Sequence, residues 1–402
     1  MAVTGARIIP RWALLGLAVV GVVGLVAFQL LRPLPVVAAT TMPAPTVVPG
    51  TPPSLPWPAK GEAAVGTADL GLLGVSPGEQ PKPMASVAKL MTALVVLQDK
   101  PLAVDTPGPA LTIDAADVAD FQARQAAGES VLKVSVGEQL SELDALQGLL
   151  IPSGNNIAAV LAKWDAGSVD AMVTKMNARA AAIGLKHTVF ADTAGVSAQT
   201  TSNPRDLFRL GTEAMKNPVI AKVVGEVQAI LPVAGVVYNV DYVLGQDGII
   251  GIKTGSGPEF GANFVFASTQ PASPRAYNIY GAVMGANTLD DAFKATKALI
   301  AAVRAGVRVD KVVGANDPVA TYQAPWGSRA DIRAATDVSA FSWPGMPISR
   351  TVTVIAVTAP VESGRKVGRL QISVGGQATS IPLVTSSSLP EPGRRWRLTR
   401  IR

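Results

Sequence analysis

Residues 12–31 (WALLGLAVVGVVGLVAFQLL) run for twenty positions without a single charge. At about 1.5 Å rise per residue, a helix of that length matches the roughly 30 Å hydrocarbon core of a bilayer. Arg7 and Arg11 precede the stretch. The positive-inside rule then leaves residue 1 in the cytoplasm and the remaining chain outside. Two fates compete. A cleaved signal peptide has a shorter apolar core and a small-residue exit, which Val37-Ala38-Ala39 would supply. An uncleaved anchor over residues 1–32 fits the length and the Arg32 at its end, and it is the expectation here. Either way the body is exported.

The next segment has too little to bury, and the one after it has plenty. Residues 33–58 hold nine prolines, a composition that favours extended polyproline II. This reads as a linker, 33–60, able to hold a domain up to roughly 80 Å from the membrane at about 3.1 Å per residue. Beyond it lies the body of a 402-residue chain that is 48% hydrophobic and only 16% charged, with mean hydropathy +0.32, ample for a large core. The net charge of +6 belongs to the ends. Residues 1–60 and 391–402 carry +4 each, leaving the body at −2. A nearly neutral body argues against nucleic-acid binding, which needs a basic face.

The absence of cysteine removes disulfides, thiolate catalysis and thiolate zinc sites. His187, the single histidine, excludes an HExxH site and leaves a Ser-His-Asp triad only one possible base. No metal and no cofactor are expected. A hydrolase built from this chain would have to move protons without histidine.

Apolar spacing predicts helices near 86–97, 141–149, 156–164, 170–182, 204–215 and 289–305. Adjacent strands are expected at 248–253, 263–268 and 276–284. This is an α/β (α+β) domain over 61–305. Alternating segments at 351–358, 369–374 and 379–384 suggest a small all-β domain over 306–393, ahead of a basic tail, 394–402.

Three short motifs carry chemistry. In Pro83-Met-Ala-Ser86-Val-Ala-Lys89, the serine and lysine lie one helical turn apart. A hydroxyl is a poor nucleophile until a neighbouring base takes its proton. An ammonium can be that base only when burial or a nearby cation neutralises it. Alone, the pattern is equally a helix start with a surface lysine. Pro152-Ser153-Gly154-Asn155-Asn156 crowds hydroxyl and amides into one loop, and alone is a capping turn. Gly251-Ile-Lys253-Thr254-Gly255 ends a strand on a cation and a hydroxyl, and alone is an exposed strand end. Together they stand in the order S-x-x-K, S-x-N, K-T-G, with gaps of 67 and 100 residues, the motif set of penicillin-binding proteins and class A β-lactamases.

The chain resembles the low-molecular-weight penicillin-binding proteins of the S11 serine peptidases, the D-alanyl-D-alanine carboxypeptidases. The resemblance covers about residues 65–305 and includes Gly137-Glu138, Leu149-Leu150-Ile151-Pro152 and Gly184-Leu185. The β-rich tail domain is similar too. It implies the penicillin-binding transpeptidase/β-lactamase-like fold, an antiparallel sheet with an α-helical subdomain. It also implies a peptidoglycan stem peptide ending in D-Ala-D-Ala as substrate and β-lactams as covalent inhibitors. Ser86 would be the nucleophile and Lys89 its base. Ser153 and Lys253 would relay a proton to the leaving amine, and Asn155 would position Lys89 and the substrate. Lys253, Thr254, Gly255 and Ser256 would bind substrate, with the Ser86 and Ser256 N–H groups as the oxyanion hole. Arg275 would stand near the terminal carboxylate, or else be a surface arginine. The Ser-Gly-Asn form of the middle motif looks like the carboxypeptidase subgroup. β-Lactamase, D,D-endopeptidase or a non-catalytic wall-binding relative are the alternatives. Gly257 departs from the family, which commonly has a hydroxyl residue there, and His187 sits in a turn with a structural role.

Overall fold

The computed structural model describes residues 11–400. Arg7 and the last two tail residues, Ile401 and Arg402, lie outside the described residues. The expected membrane segment is one helix, α1 (Arg11–Leu31), none of whose residues is buried. A helix apolar on every side suits lipid or a protein interior, and here only its C-terminal end meets another element.

The chain divides into two compact units, one of residues 49–308 with 341–345 and the other of 11–48, 309–340 and 346–400. The first is built on an antiparallel sheet in the order Ile249–Gly257, Gly261–Gln270, Tyr277–Ala286, Glu62–Thr67, Gly71–Val75. Its second strand is buried from Ala262 to Ala267, so both faces are covered. Into this unit pack α2 (Lys89–Asp99), α3 (Ala115–Ala126), α4 (Glu142–Leu150), α5 (Asn155–Ala166), α6 (Val169–Ala182), α7 (Pro204–Ala214), α8 (Pro218–Val224) and α9 (Leu289–Gly306).

Successive strand residues face opposite sides, which sorts the helices. Phe264 meets Phe293 of α9 edge to face at 4.9 Å. Val265 points the other way, to α7, where a Cβ at Gly211 would lie 2.6 Å from its Cγ1. Helix α2 is buried from Lys89 through Leu97 and contacts α4, α5, α6 and α7. It is apolar all round because it is the centre of the helical layer. Its first residue is a lysine, and nothing in the packing lets that lysine reach water.

The second unit carries a six-stranded antiparallel sheet in the order Ala39–Thr41, Pro318–Gln323, Arg329–Ala334, Gln377–Thr385, Lys366–Val374, Ile348–Val354. Tyr322, Ile332, Leu370 and Leu383 form its fully buried centre. The unit closes with α10 (Arg394–Thr399).

The edge strand corrects the reading of residues 33–60 as a linker. Residues 33–48 are not a free spacer. Ala39–Thr41 pairs with Ala320–Tyr322, Val37 bridges Val357, and Val37 and Val48 are buried. Proline is compatible with a sheet edge because only one side needs N–H donors. Residues 49–60 belong to the other unit, where Leu55 and Trp57 lie against Gly74. The unit boundaries therefore fall at 48/49 and 308/309 instead of 60/61 and 305/306.

Candidate active site

Ser86 sits in a tight 3₁₀ turn, Ala85–Ala88, that runs straight into α2. The turn is strained: Ala85 has φ +49, a left-handed conformation that costs a non-glycine residue roughly 1–2 kcal/mol. Two glycines let the chain close around it. Gly195 (φ +81) lies so near that a Cβ there would be 1.8 Å from the Ala85 carbonyl oxygen. On the other side, a Cβ at Gly255 would meet Met84 O at 2.8 Å and Ser86 N at 2.9 Å. The glycine of the third motif thus brings the 249–257 strand against the first motif's turn.

Lys89 Nζ is fully buried, 2.7 Å from Ser86 Oγ, and it donates to Asn155 Oδ1 at 2.6 Å and Ala194 O at 3.0 Å. A neutral amine has two N–H bonds and one lone pair. With two fixed acceptors taking the N–H bonds, the lone pair is left facing Ser86 Oγ. Burial, then the nearby charge of Lys253, hold the Lys89 pKa well below its ordinary value, against a smaller opposing pull from Asp192 and Glu129.

Each acceptor is itself held. Asn155 Nδ2 donates to Glu129 Oε2 at 2.8 Å, and the same oxygen takes Arg124 at 2.9 Å. This anchoring fixes the amide so that Oδ1 can only face Lys89. The Ala194 carbonyl rides on a loop shaped by Asp192, whose carboxylate accepts the N–H groups of Ala194 (2.7 Å) and Ser197 (2.8 Å) and the Thr200 hydroxyl (2.8 Å). Burial pushes the Asp192 carboxyl up, but these donors outweigh it and hold it below the usual range. Thr92, one turn along α2, ties to the same loop through Thr193 O at 2.7 Å.

The middle motif adds a second strained residue. Ser153 has φ +66, and its buried Oγ has no hydrogen-bond partner among the described residues. Unsatisfied buried hydroxyls and strained backbones are unusual and concentrate at functional sites. Gly154 is glycine for packing: a Cβ would sit 2.9 Å from Gly148 O.

Lys253 is buried too, with its Nζ donating to Thr254 O at 3.0 Å. Burial pulls its pKa down to about 7, against the opposing charge of Asp241. Asp241 is itself raised to about 6 by burial. Two lysines in dry surroundings, with the charge of Lys253 disfavouring a charge on Lys89, can divide roles, one neutral and one cationic.

Motif spacing singles out Ser86, Lys89 and Asn155, which the structure joins by hydrogen bonds, together with Ser153 and Lys253–Gly255. It missed Glu129, Asp192 and Asp241, which act on the motif residues from elsewhere in the chain. Only Asp192 left a signal, the Asp-Thr-Ala-Gly run in which an Asp side chain organises a turn. Arg275 is not brought to the group. Lys253 pairs with Val265, whereas Gln270 pairs with Tyr277, so Arg275 lies beyond the far end of the sheet, roughly 17 Å along the strand. There it forms an ion pair with Asp69 and stacks on Phe341 at 4.9 Å. Gly257 has a local reason: a Cβ there would lie 2.9 Å from the Phe260 ring, which occupies the space of the expected side chain. The His187 side chain is exposed, and its backbone N–H donates to Asp206 at 2.6 Å.

A half-exposed serine in a turn beside the strained Ala85, backed by a buried lysine, on a helical layer against an antiparallel sheet, defines a serine acyl-transfer enzyme. Residues 73–288 match the family model of peptidase S11, D-alanyl-D-alanine carboxypeptidase, and the chain belongs to this family of serine peptidases. A D-alanyl-D-alanine endopeptidase of Pseudomonas aeruginosa is 36% identical over 140 residues, 35% of this chain and 42% of the relative. A D-alanyl-D-alanine carboxypeptidase of Streptomyces sp. strain K15 is 32% identical over 202 residues, covering 46% and 67%. Among solved structures, penicillin-binding protein 5 of Haemophilus influenzae superposes with TM-score 0.61 at 21% identity, over 85% of this chain and all of that one. The Streptomyces K15 DD-transpeptidase gives TM-score 0.56 at 27% identity, over 63% and 99%.

Proposed function

We propose that the protein removes the terminal D-alanine from peptidoglycan stem peptides through an acyl-enzyme on Ser86. The observation that carries this reading is the two-acceptor cradle of Lys89, which leaves an amine lone pair for the serine proton. Ser86 Oγ attacks the penultimate D-alanine carbonyl as its proton passes to Lys89. The oxyanion sits between the N–H groups of Ser86 and Ser256. The C–N bond then breaks, the leaving amine taking a proton through Ser153, and free D-alanine departs. Water hydrolyses the remaining ester. Lys253 in its cationic form, with Thr254, holds the substrate's terminal carboxylate.

Release of D-alanine from a peptide ending in D-Ala-D-Ala, measured with full-length protein, tests the reading; neither release nor penicillin acylation would point to a wall-binding relative. Glu129 Oε2 is taken by Arg124 and Asn155, and no motif places a glutamate to activate a deacylating water. A penicilloyl adduct lasting minutes or longer is expected, and turnover of many penicillins per second would mean a β-lactamase.

Lys253 adds a pH limit. With a pKa of about 7, it loses its charge as pH rises through that value. kcat/KM for a peptide with a free C-terminal carboxylate should therefore fall on the alkaline side. A profile flat to pH 9 would take the carboxylate away from Lys253.

The edge strand supports a retained tether. Cleavage after Val37-Ala38-Ala39 would cut into the Ala39–Thr41 strand and discard buried Val37. We therefore read α1 as a membrane anchor with both units on the extracytoplasmic side. Replacing residues 1–32 by a cleavable signal should make the protein soluble, whereas deleting residues 394–402 should leave it in the membrane fraction at high salt. Release by the tail deletion alone would move the anchor to the other end.

A further inference from the structure

The last carbonyls of a helix have no partner within it, and at a membrane exit that shortfall falls at the edge of hydrocarbon. Here the chain's other end supplies the donors. Arg400, buried despite its charge, donates to Gln29 O at 3.2 Å, to Pro33 O at 3.1 Å and to Arg32 O, and Arg397 donates to Leu30 O at 3.0 Å. Gln29 Nε2 returns a bond to Arg400 O at 3.4 Å. The tail is therefore fastened to the mouth of α1.

Fastening uses Arg397 and Arg400 and leaves three cations over. Glu391, the one acid in 391–402, is taken by Arg397 at 2.8 Å. Arg394 and Arg395 are exposed, and neither they nor Arg32 have a carboxylate partner among the described residues. Beside them Trp396 meets Trp326 edge to face at 5.2 Å, and Trp326 Nε1 is tied to Pro390 O at 3.0 Å. Leu398 is exposed. Paired indoles favour the headgroup level of a bilayer, and guanidinium forks match phosphate oxygens.

We propose that Arg32, Arg394, Arg395 and the Trp326–Trp396 pair form a binding site for the phosphate headgroup of an anionic phospholipid at the outer mouth of α1. The occupant is a lipid because the tail that carries Arg394 and Arg395 is fastened to the end of an apolar helix with no buried residue, where acyl chains must lie. The proposal rests on the reading of α1 as a membrane span.

The test uses the full chain in nonionic micelles, titrated with phosphatidylglycerol or phosphatidylcholine, with bound lipid counted by native mass spectrometry. Phosphatidylglycerol should bind roughly tenfold tighter or more, and Arg394→Gln/Arg395→Gln should erase most of that preference. Penicillin labelling of the variant, expected unchanged, reports that it is folded. Equal binding of the two lipids, or an unaltered preference in the variant, overturns the proposal. So does displacement of phosphatidylglycerol by millimolar inorganic phosphate, which would make this a free-phosphate site. Alkaline carbonate extraction of membranes separates the two readings. Release of the wild type would sink the span itself, whereas retention without lipid preference would sink only the headgroup site.

Discussion

Lys89→Arg should lower the rate of acylation by penicillin by about 10³-fold, within the range general-base catalysis supplies. The guanidinium keeps the positive charge but cannot give up a proton near neutral pH, so the substitution isolates basicity. It also brings five donors to a cradle offering two acceptors, Asn155 Oδ1 and Ala194 O. The wild type should show a rising limb of acylation with pH. The sign comes from the direction of the shift: burial and Lys253 lower the Lys89 pKa, so the amine becomes neutral, and competent as a base, at lower pH than an ordinary lysine. The fall on the alkaline side belongs to Lys253. Stopped-flow acylation across pH 5–10 reads both limbs. A Lys89→Arg variant acylating at near-normal rate would remove Lys89 from the role of base.

Gly195→Ala is expected to be the most damaging single-methyl change in the molecule. The new Cβ would stand 1.8 Å from Ala85 O, at a φ of +81 that side chains rarely adopt. Either the Ser86 turn moves or the Asp192 loop does, and the second option carries away the Ala194 carbonyl that holds Lys89. Gly71→Ala is the control, because it shares a positive φ (+74) with nothing within 4 Å of the new Cβ. The control should lose only the conformational term, about 1 kcal/mol. Gly195→Ala should lose several kcal/mol, lowering Tm by about 10 °C, with penicillin labelling reduced at least 100-fold where the protein still folds. Thermal unfolding of the two variants side by side, with labelling of each, checks this. Equal effects at the two positions would mean that the contact with Ala85 does not matter.

The two variants also mark where sequence reading works and where it stops. Ser86 and Lys89 share one turn, and Ser153 and Asn155 share one loop, so their chemistry is legible from spacing alone. Six of the helices from 89 to 306 are legible for a similar reason, since each buries one stripe or is buried whole, whereas α3, which buries only Asp117 and Phe121, and the seven-residue α8 escape the spacing. Glu129 acts from 26 residues before Asn155, through a single hydrogen bond. Asp192 acts from 103 residues after Lys89, through the shape of a loop. No local pattern ties either to its target. The proline-rich segment misleads because composition reports what a segment cannot do alone. It does not report a partner strand, Pro318–Gln323, nearly 280 residues away. Arg275 misleads for the converse reason: proximity in sequence to the third motif hides a sheet that carries the chain to its other end before Arg275 appears.

All of this chemistry turns on Ser86 being the acylated nucleophile. The decisive measurement is mass-spectrometric mapping of full-length protein after incubation with penicillin and digestion. One penicilloyl group should be found on the peptide containing Ser86, and none on Ser86→Ala, whose thermal unfolding should match the wild type. An adduct on any other residue, or clean labelling of a folded Ser86→Ala variant, would refute the assignment.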